Sequence, residues 1–136
     1  MKTVVISSPS TEILYVSKAY VGKEHDYTLL KAEFPKGTSW FKNFTVRLDS
    51  GYQGFKNDYE RKKCYLPHKK PKKTVLSEEQ KDENQKAAKE RIKVEQSIGG
   101  LKRYRILSDR TRIKDFALFD DIIGVCAGLW NYIKLA

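Results

Sequence analysis

The last quarter of the chain constrains the fold most. Between Ile113 and Leu135 it carries Phe116, Leu118, Phe119, Ile122, Ile123, Cys126, Leu129, Trp130 and Ile133. A helix of that apolar density must bury a face, so the segment is expected to be a major core contributor. Its aromatics are read as packing rather than as a cofactor box. Asp120, Asp121 and Lys134 interrupt the run, which argues against a membrane span. Upstream, Ser77-Glu78-Glu79-Gln80 has the S-x-x-Q form of a capping box. It predicts a long helix running to the Gly99-Gly100 pair, with early turns charged on nearly every face and therefore solvent-exposed.

The first half reads as short strands. Thr3 to Ser7 is a β-branched run, Ser8-Pro9-Ser10-Thr11 a turn cluster, and ILYVSKAYV up to Val21 a second strand-forming run. Together they predict a hairpin, closed by Gly22. A short helix is expected to open at His25-Asp26-Tyr27-Thr28 and to end at Pro35-Lys36-Gly37. Phe44 to Asp49 is a compact strand pattern that runs into Ser50-Gly51-Tyr52-Gln53-Gly54. A helical turn from Phe55 to Tyr59 and a short edge strand at Cys64-Tyr65-Leu66-Pro67 follow. An acid at a strand end followed by glycines is where many α/β folds place chemistry. Asp49 and Ser50 serve equally well as turn formers.

The charge balance narrows the partners. With 27 Lys+Arg against 17 Asp+Glu the chain carries +10. That points to a polyanion, nucleic acid first and an anionic membrane surface second. The stretch RKKCYLPHKKPKK from Arg61 to Lys73 concentrates the charge, and its two prolines favour extended chain. It is either a solvated loop or a phosphate-tracking arm. Two cysteines, Cys64 and Cys126, are too few for a disulfide scaffold and match no metal-ligand spacing. They suit a reducing, cytoplasmic compartment. No signal-peptide run, internal repeat or Gly-rich phosphate loop is present. At 136 residues and 40% apolar content, one domain with a real core is expected.

One helix face combines charge with apolar neighbours. At ~100° per residue, Arg91, Glu95 and Lys102 project from one side if the helix continues through Gly99 and Gly100. Ala88, Ile92 and Ile98 flank that stripe, so it is expected to face the protein. A carboxylate there needs a partner, because burying an unpaired charge is costly. Arg91 is one candidate partner. The other is a divalent cation shared with Asp49, since Mg²⁺ takes carboxylate oxygens and completes its shell with water and substrate phosphate. Two such ions ~3.5–4 Å apart can activate a nucleophile and stabilise a leaving oxygen.

The succession of strands, helix, LDSGYQG, basic stretch and RIKVEQSIGGLKRYRIL resembles the DDE-type transposases of bacterial insertion sequences, in particular the Harbinger-like DDE superfamily endonuclease domain. The resemblance implies an α/β, ribonuclease-H-like DDE nuclease fold that hydrolyses DNA phosphodiesters and transfers strands at transposon ends. It makes Asp49, in a D-x-G-Y-x-G motif, the second catalytic acid, and Glu95, in an R-(3)-E-(6)-K arrangement, the third. Both are implied ligands of a two-metal Mg²⁺ or Mn²⁺ site. Arg91, Lys102, Arg103 and Arg105, with Lys69, Lys70, Lys72 and Lys73, are implied DNA-backbone contacts. His25-Asp26 resembles a G-x-x-H-D element beside the site. Ala88 stands where many relatives have a tyrosine.

The family's first acid lies on a strand ahead of the hairpin, and no Asp precedes Asp26. The expectation is therefore a domain incomplete at its N-terminus, its first central strand missing, and inactive alone. Strands and a short helix would occupy about 1–67, a basic linker about 61–76 and C-terminal helices about 77–135. Its partner would be DNA, with the missing N-terminal half or a full-length transposase. The alternative is a non-catalytic basic fragment that binds DNA or inhibits a transposase.

Overall fold

A computed structural model describes residues 1–69, 74–109 and 112–135. In chain order the elements are β1 (Val5–Ser7), β2 (Ile13–Val16), α1 (Asp26–Glu33), β3 (Thr45–Arg47), a 3₁₀ turn (Ser50–Tyr52), α2 (Phe55–Asp58), β4 (Lys63–Tyr65), α3 (Glu78–Lys102), α4 (Arg105–Ser108) and α5 (Phe116–Leu135). This is a mixed α/β chain. Among the described residues its strands form two two-stranded sheets, β1 with β2 and β3 with β4. The chain divides into two compact units, Met1–His25 with Lys93–Ala136, and Asp26–Ile92.

In the first unit β1 and β2 form the expected antiparallel hairpin, pairing Val5 with Val16 and Ile6 with Tyr15. Its turn holds Thr11 at a φ of 69°, a left-handed conformation unusual for a β-branched residue. Two buried donors offset that strain. Trp130 Nε1 and Ser97 Oγ both donate to the Thr11 carbonyl, at 2.9 and 3.1 Å. The core is Ile13, Leu101, Cys126, Ala127 and Trp130, flanked by Val5, Val16, Tyr104, Leu107 and Ile122.

α5 starts at Phe116 rather than Ile113 because Asp115 caps it, accepting from the Ala117 and Leu118 amides. Only one stripe of it, Ile123, Cys126, Ala127 and Trp130, is buried. Phe116, Leu118, Leu129 and Ile133, expected in the core, are exposed. By length and composition alone this helix could cross a membrane. Its polar side chains nonetheless have particular partners in the hairpin. Asp120 accepts from the Ala19 amide at 2.5 Å, and Asn131 bonds both backbone groups of Ile13, at 2.8 and 2.7 Å.

The Gly99-Gly100 pair does not end α3, which continues to Lys102. Gly100 is there for a close approach: a Cβ on it would lie 2.6 Å from the six-membered ring of Trp130. The capping box does start the helix, with Ser77 N donating to Gln80 Oε1 and Gln80 N to Ser77 Oγ, at 3.1 and 3.2 Å.

The second unit is built on aromatics. Phe55, at 1% exposure, stacks on Tyr59 with centroids 4.9 Å apart, and Phe41 leans on both. Phe34 and Trp40 extend the cluster, and the Tyr59 hydroxyl donates to the Phe34 carbonyl. Leu29 and Leu30 bury the inner face of α1. β3 and β4 pair in parallel, Thr45 with Lys63, Val46 with Cys64 and Arg47 with Tyr65. The crossover between them contains the 3₁₀ turn and α2. α2 opens at Gly54, whose φ of 95° suits a residue without a Cβ.

Candidate functional site

Asp49 stands two residues beyond β3 and caps the 3₁₀ turn. Its backbone is extended, and its Oδ1 accepts from the Ser50 amide at 2.6 Å. The turn-forming role and the strand-end position therefore coexist in one residue. Arg91 Nη1 lies 3.6 Å from the same Oδ1, so the structure brings together the LDSGYQG segment and the arginine of the R-(3)-E-(6)-K arrangement. Both side chains are about half exposed, which makes this a positioning contact more than a source of stability.

The sequence gives little sign of the other groups around Asp49 and the ends of β3 and β4. Arg47 of β3 pairs with Glu90 of α3. Beyond β4, the His68 amide donates to Asn84 Oδ1, the Asn84 side chain returns a bond to the His68 carbonyl, and the His68 ring bonds Glu83. That last bond holds the Glu83 carboxyl below the usual carboxylate range. Asn84 and Arg91, seven residues apart on α3, lie within about 20° of one another around the helix, whereas Glu90 lies about 100° from Arg91.

Tyr52 sits in the turn that Asp49 caps. Burial raises its phenol to about 12, with the charges of Asp26 and Asp49 adding to the effect. Asp26, expected beside the site, thus shares an electrostatic neighbourhood with Asp49. A phenol protonated more firmly in the folded state stabilises that state below pH 10, and the contribution is lost as pH rises from 10 through 12. Urea midpoints measured across that interval should fall more steeply for the wild-type chain than for Tyr52→Phe. Parallel curves would show that Tyr52 carries no such linkage.

The expected inward face of α3 is not the buried one. Arg91, Ile92, Glu95 and Lys102 are exposed, Ile92 at 52%. The buried residues are Ala87, Ser97, Gly100 and Leu101. Ser97 accounts for the difference. It is fully buried, with its hydroxyl bonded to the Thr11 and Lys93 carbonyls, and a small polar residue does not advertise an inward position.

Of the expected backbone contacts, Lys69, Lys102, Arg103 and Arg105 are exposed, and Arg105 pairs with Asp109 at 3.3 Å. Lys70, Lys72 and Lys73 lie outside the described residues. The first part of the basic stretch is anchored chain rather than a free arm. Lys63–Tyr65 is a paired strand, and Arg61 donates to the Lys56 and Tyr59 carbonyls. His25 is exposed just ahead of α1.

No group of three or more His, Cys, Asp or Glu side chains that could hold a metal ion occurs among the described residues. Asp49 is turned instead to an amide and a guanidinium.

Comparison with known proteins decides the family. The model of the DDE superfamily endonuclease family matches residues 1–131. The chain belongs to that family. It is also 36% identical over 113 residues to the probable transposase for insertion sequence element IS702 of Microchaete diplosiphon. That alignment covers 82% of this chain and 38% of the relative, so the chain spans well under half the relative's length. No solved structure gives a significant match. Asp49 and Glu95 both fall within the region shared with DDE endonucleases.

Proposed function

We propose that this DDE endonuclease chain acts on DNA as a transposase-type domain, with Asp49 and Glu95 as two of the acids of a ribonuclease-H-like catalytic site. The observation that carries the reading is the family match across residues 1–131, which includes both acids, on a chain of net charge +10. A divalent cation, Mg²⁺ or Mn²⁺, held by these acids would supply charge stabilisation at a DNA phosphodiester. This chain's own contribution is positional. The Ser50 amide and Arg91 orient Asp49, and Glu95, Lys102 and Arg103 stand exposed on α3 and just beyond it. Lys and Arg side chains so placed contact backbone phosphates without reading sequence.

A second reading, which the net charge of +10 favours, is that the chain binds DNA without cutting it. Binding should then weaken steeply with salt through counterion release. It should also be unchanged in Asp49→Asn and Glu95→Gln, as measured by fluorescence anisotropy on labelled duplexes. Supercoiled plasmid incubated with the chain and Mn²⁺ should remain unnicked. Nicking that disappears in Asp49→Ala would sink the non-cutting reading, and a chain that binds no DNA at low salt would sink the DNA reading itself.

A further inference from the structure

The first unit contains a cleft of about 430 Å³ walled by Thr11, Gln96, Gly99, Arg103, Trp130 and Lys134. Its electrostatics are one-sided. Arg103 and Lys134 are the charged walls, no acid contributes to it, and neither cation forms an ion pair among the described residues. Both are held against the same indole, with the Arg103 guanidinium carbon 5.6 Å and Lys134 Nζ 5.4 Å from the Trp130 ring. Two positive charges gathered on one ring repel each other, and the aromatic ring compensates only in part. An anion at the cleft would relieve that repulsion.

The remaining walls suit the same ligand. Gln96 and Thr11 bring polar side chains, and the Thr11 hydroxyl is buried with no hydrogen-bond partner among the described residues. A buried hydroxyl without a partner is costly and uncommon. Trp130, Thr11 and Ser97 are locked together by the bonds to the Thr11 carbonyl, so the floor of the cleft is preorganised.

We propose that this cleft is a phosphate-binding subsite for a nucleic-acid backbone, in which Arg103 and Lys134 hold one phosphodiester. The inference rests on the DNA reading above and adds a locus to it, with Lys134, Thr11, Gln96 and Trp130 as residues that reading does not use. The bidentate guanidinium supplies directional bonds to phosphate oxygens, and the ammonium supplies a point charge.

The test uses the full chain and a fluorescein-labelled duplex oligonucleotide across a sodium chloride series. Arg103→Gln/Lys134→Gln should lose affinity by about ten-fold at low salt and lower the salt slope by about two. Lys23→Gln/Lys42→Gln removes the same charge at exposed positions that do not line the cleft and should lose less than about three-fold. Arg103→Lys, which keeps the charge and loses the bidentate fork, should fall between wild type and Arg103→Gln, and melts followed by circular dichroism establish that each variant is folded. Equal losses in the two doubly substituted chains would overturn the cleft and leave DNA binding standing as a diffuse charge effect. A wild-type chain that binds no DNA would instead overturn the functional reading, and the cleft's role with it.

Discussion

Replacing Phe55 by alanine should cost about 3–5 kcal/mol, the range for truncating a fully buried aromatic. Phe55 opens α2, a single turn too short to be stable by itself. What holds that turn is the ring's burial at 1% exposure, its stacking on Tyr59 and its tilted contact with Phe41. Removing it leaves a cavity under the crossover between β3 and β4 and unseats Tyr59, whose hydroxyl fastens Phe34. Urea denaturation followed by circular dichroism would read the loss. Phe55→Leu, which keeps much of the volume, should fall between wild type and alanine. A cost below about 1 kcal/mol for Phe55→Ala would show that the aromatic cluster does not hold the second unit together.

Trp130→Ala should be comparably severe, again about 3–5 kcal/mol, because three roles vanish together. The indole fills the core beside Ile13 and Leu101, donates to the strained Thr11 carbonyl, and lies flush against Gly100. Trp130→Phe keeps part of the volume and removes the donor, which isolates a hydrogen-bond contribution of about 1–2 kcal/mol. The contact with Gly100 supplies a stricter check. Gly100→Ala should destabilise the wild-type chain by about 1–3 kcal/mol through overpacking, yet be neutral or favourable once Trp130 is alanine. Additive effects in that double-mutant cycle, read from urea midpoints, would rule out the close approach as the reason for the glycine.

The features legible in the sequence were local ones. The hairpin at Ser8 to Thr11, the helix opening near Asp26, the strand ahead of Asp49, the turn at Phe55 and the capping box at Ser77 each depend on residues within a few positions of one another. The features that were not legible depend on contacts far along the chain. Gly99-Gly100 reads as a stop because nothing nearby announces that Trp130 will press against it. The buried phase of α3 is hidden in the sequence because Ser97 is inward and Ile92 outward, the reverse of what their polarity suggests. Asp120 reads only as an interruption of an apolar run, since its partner is the Ala19 amide. At the candidate site, the family was legible in the D-x-G-Y-x-G and R-(3)-E-(6)-K spacings. The approach of Arg91 to Asp49, and the Glu90 and His68 contacts nearby, were not, because tertiary packing alone creates them.

Asn131 has one further consequence. Its side-chain amide occupies both the N–H and the C=O of Ile13, as a neighbouring strand would, and Asp120 takes up the Ala19 N–H. Unpaired strand edges are templates for aggregation, and proteins commonly blunt them with charge, proline or a covering element. Here an apolar helix does it with two polar side chains, so another copy's strand finds no free backbone group at Ile13. Asn131, one of the polar residues that make α5 less hydrophobic, thereby blunts the β2 edge at Ile13.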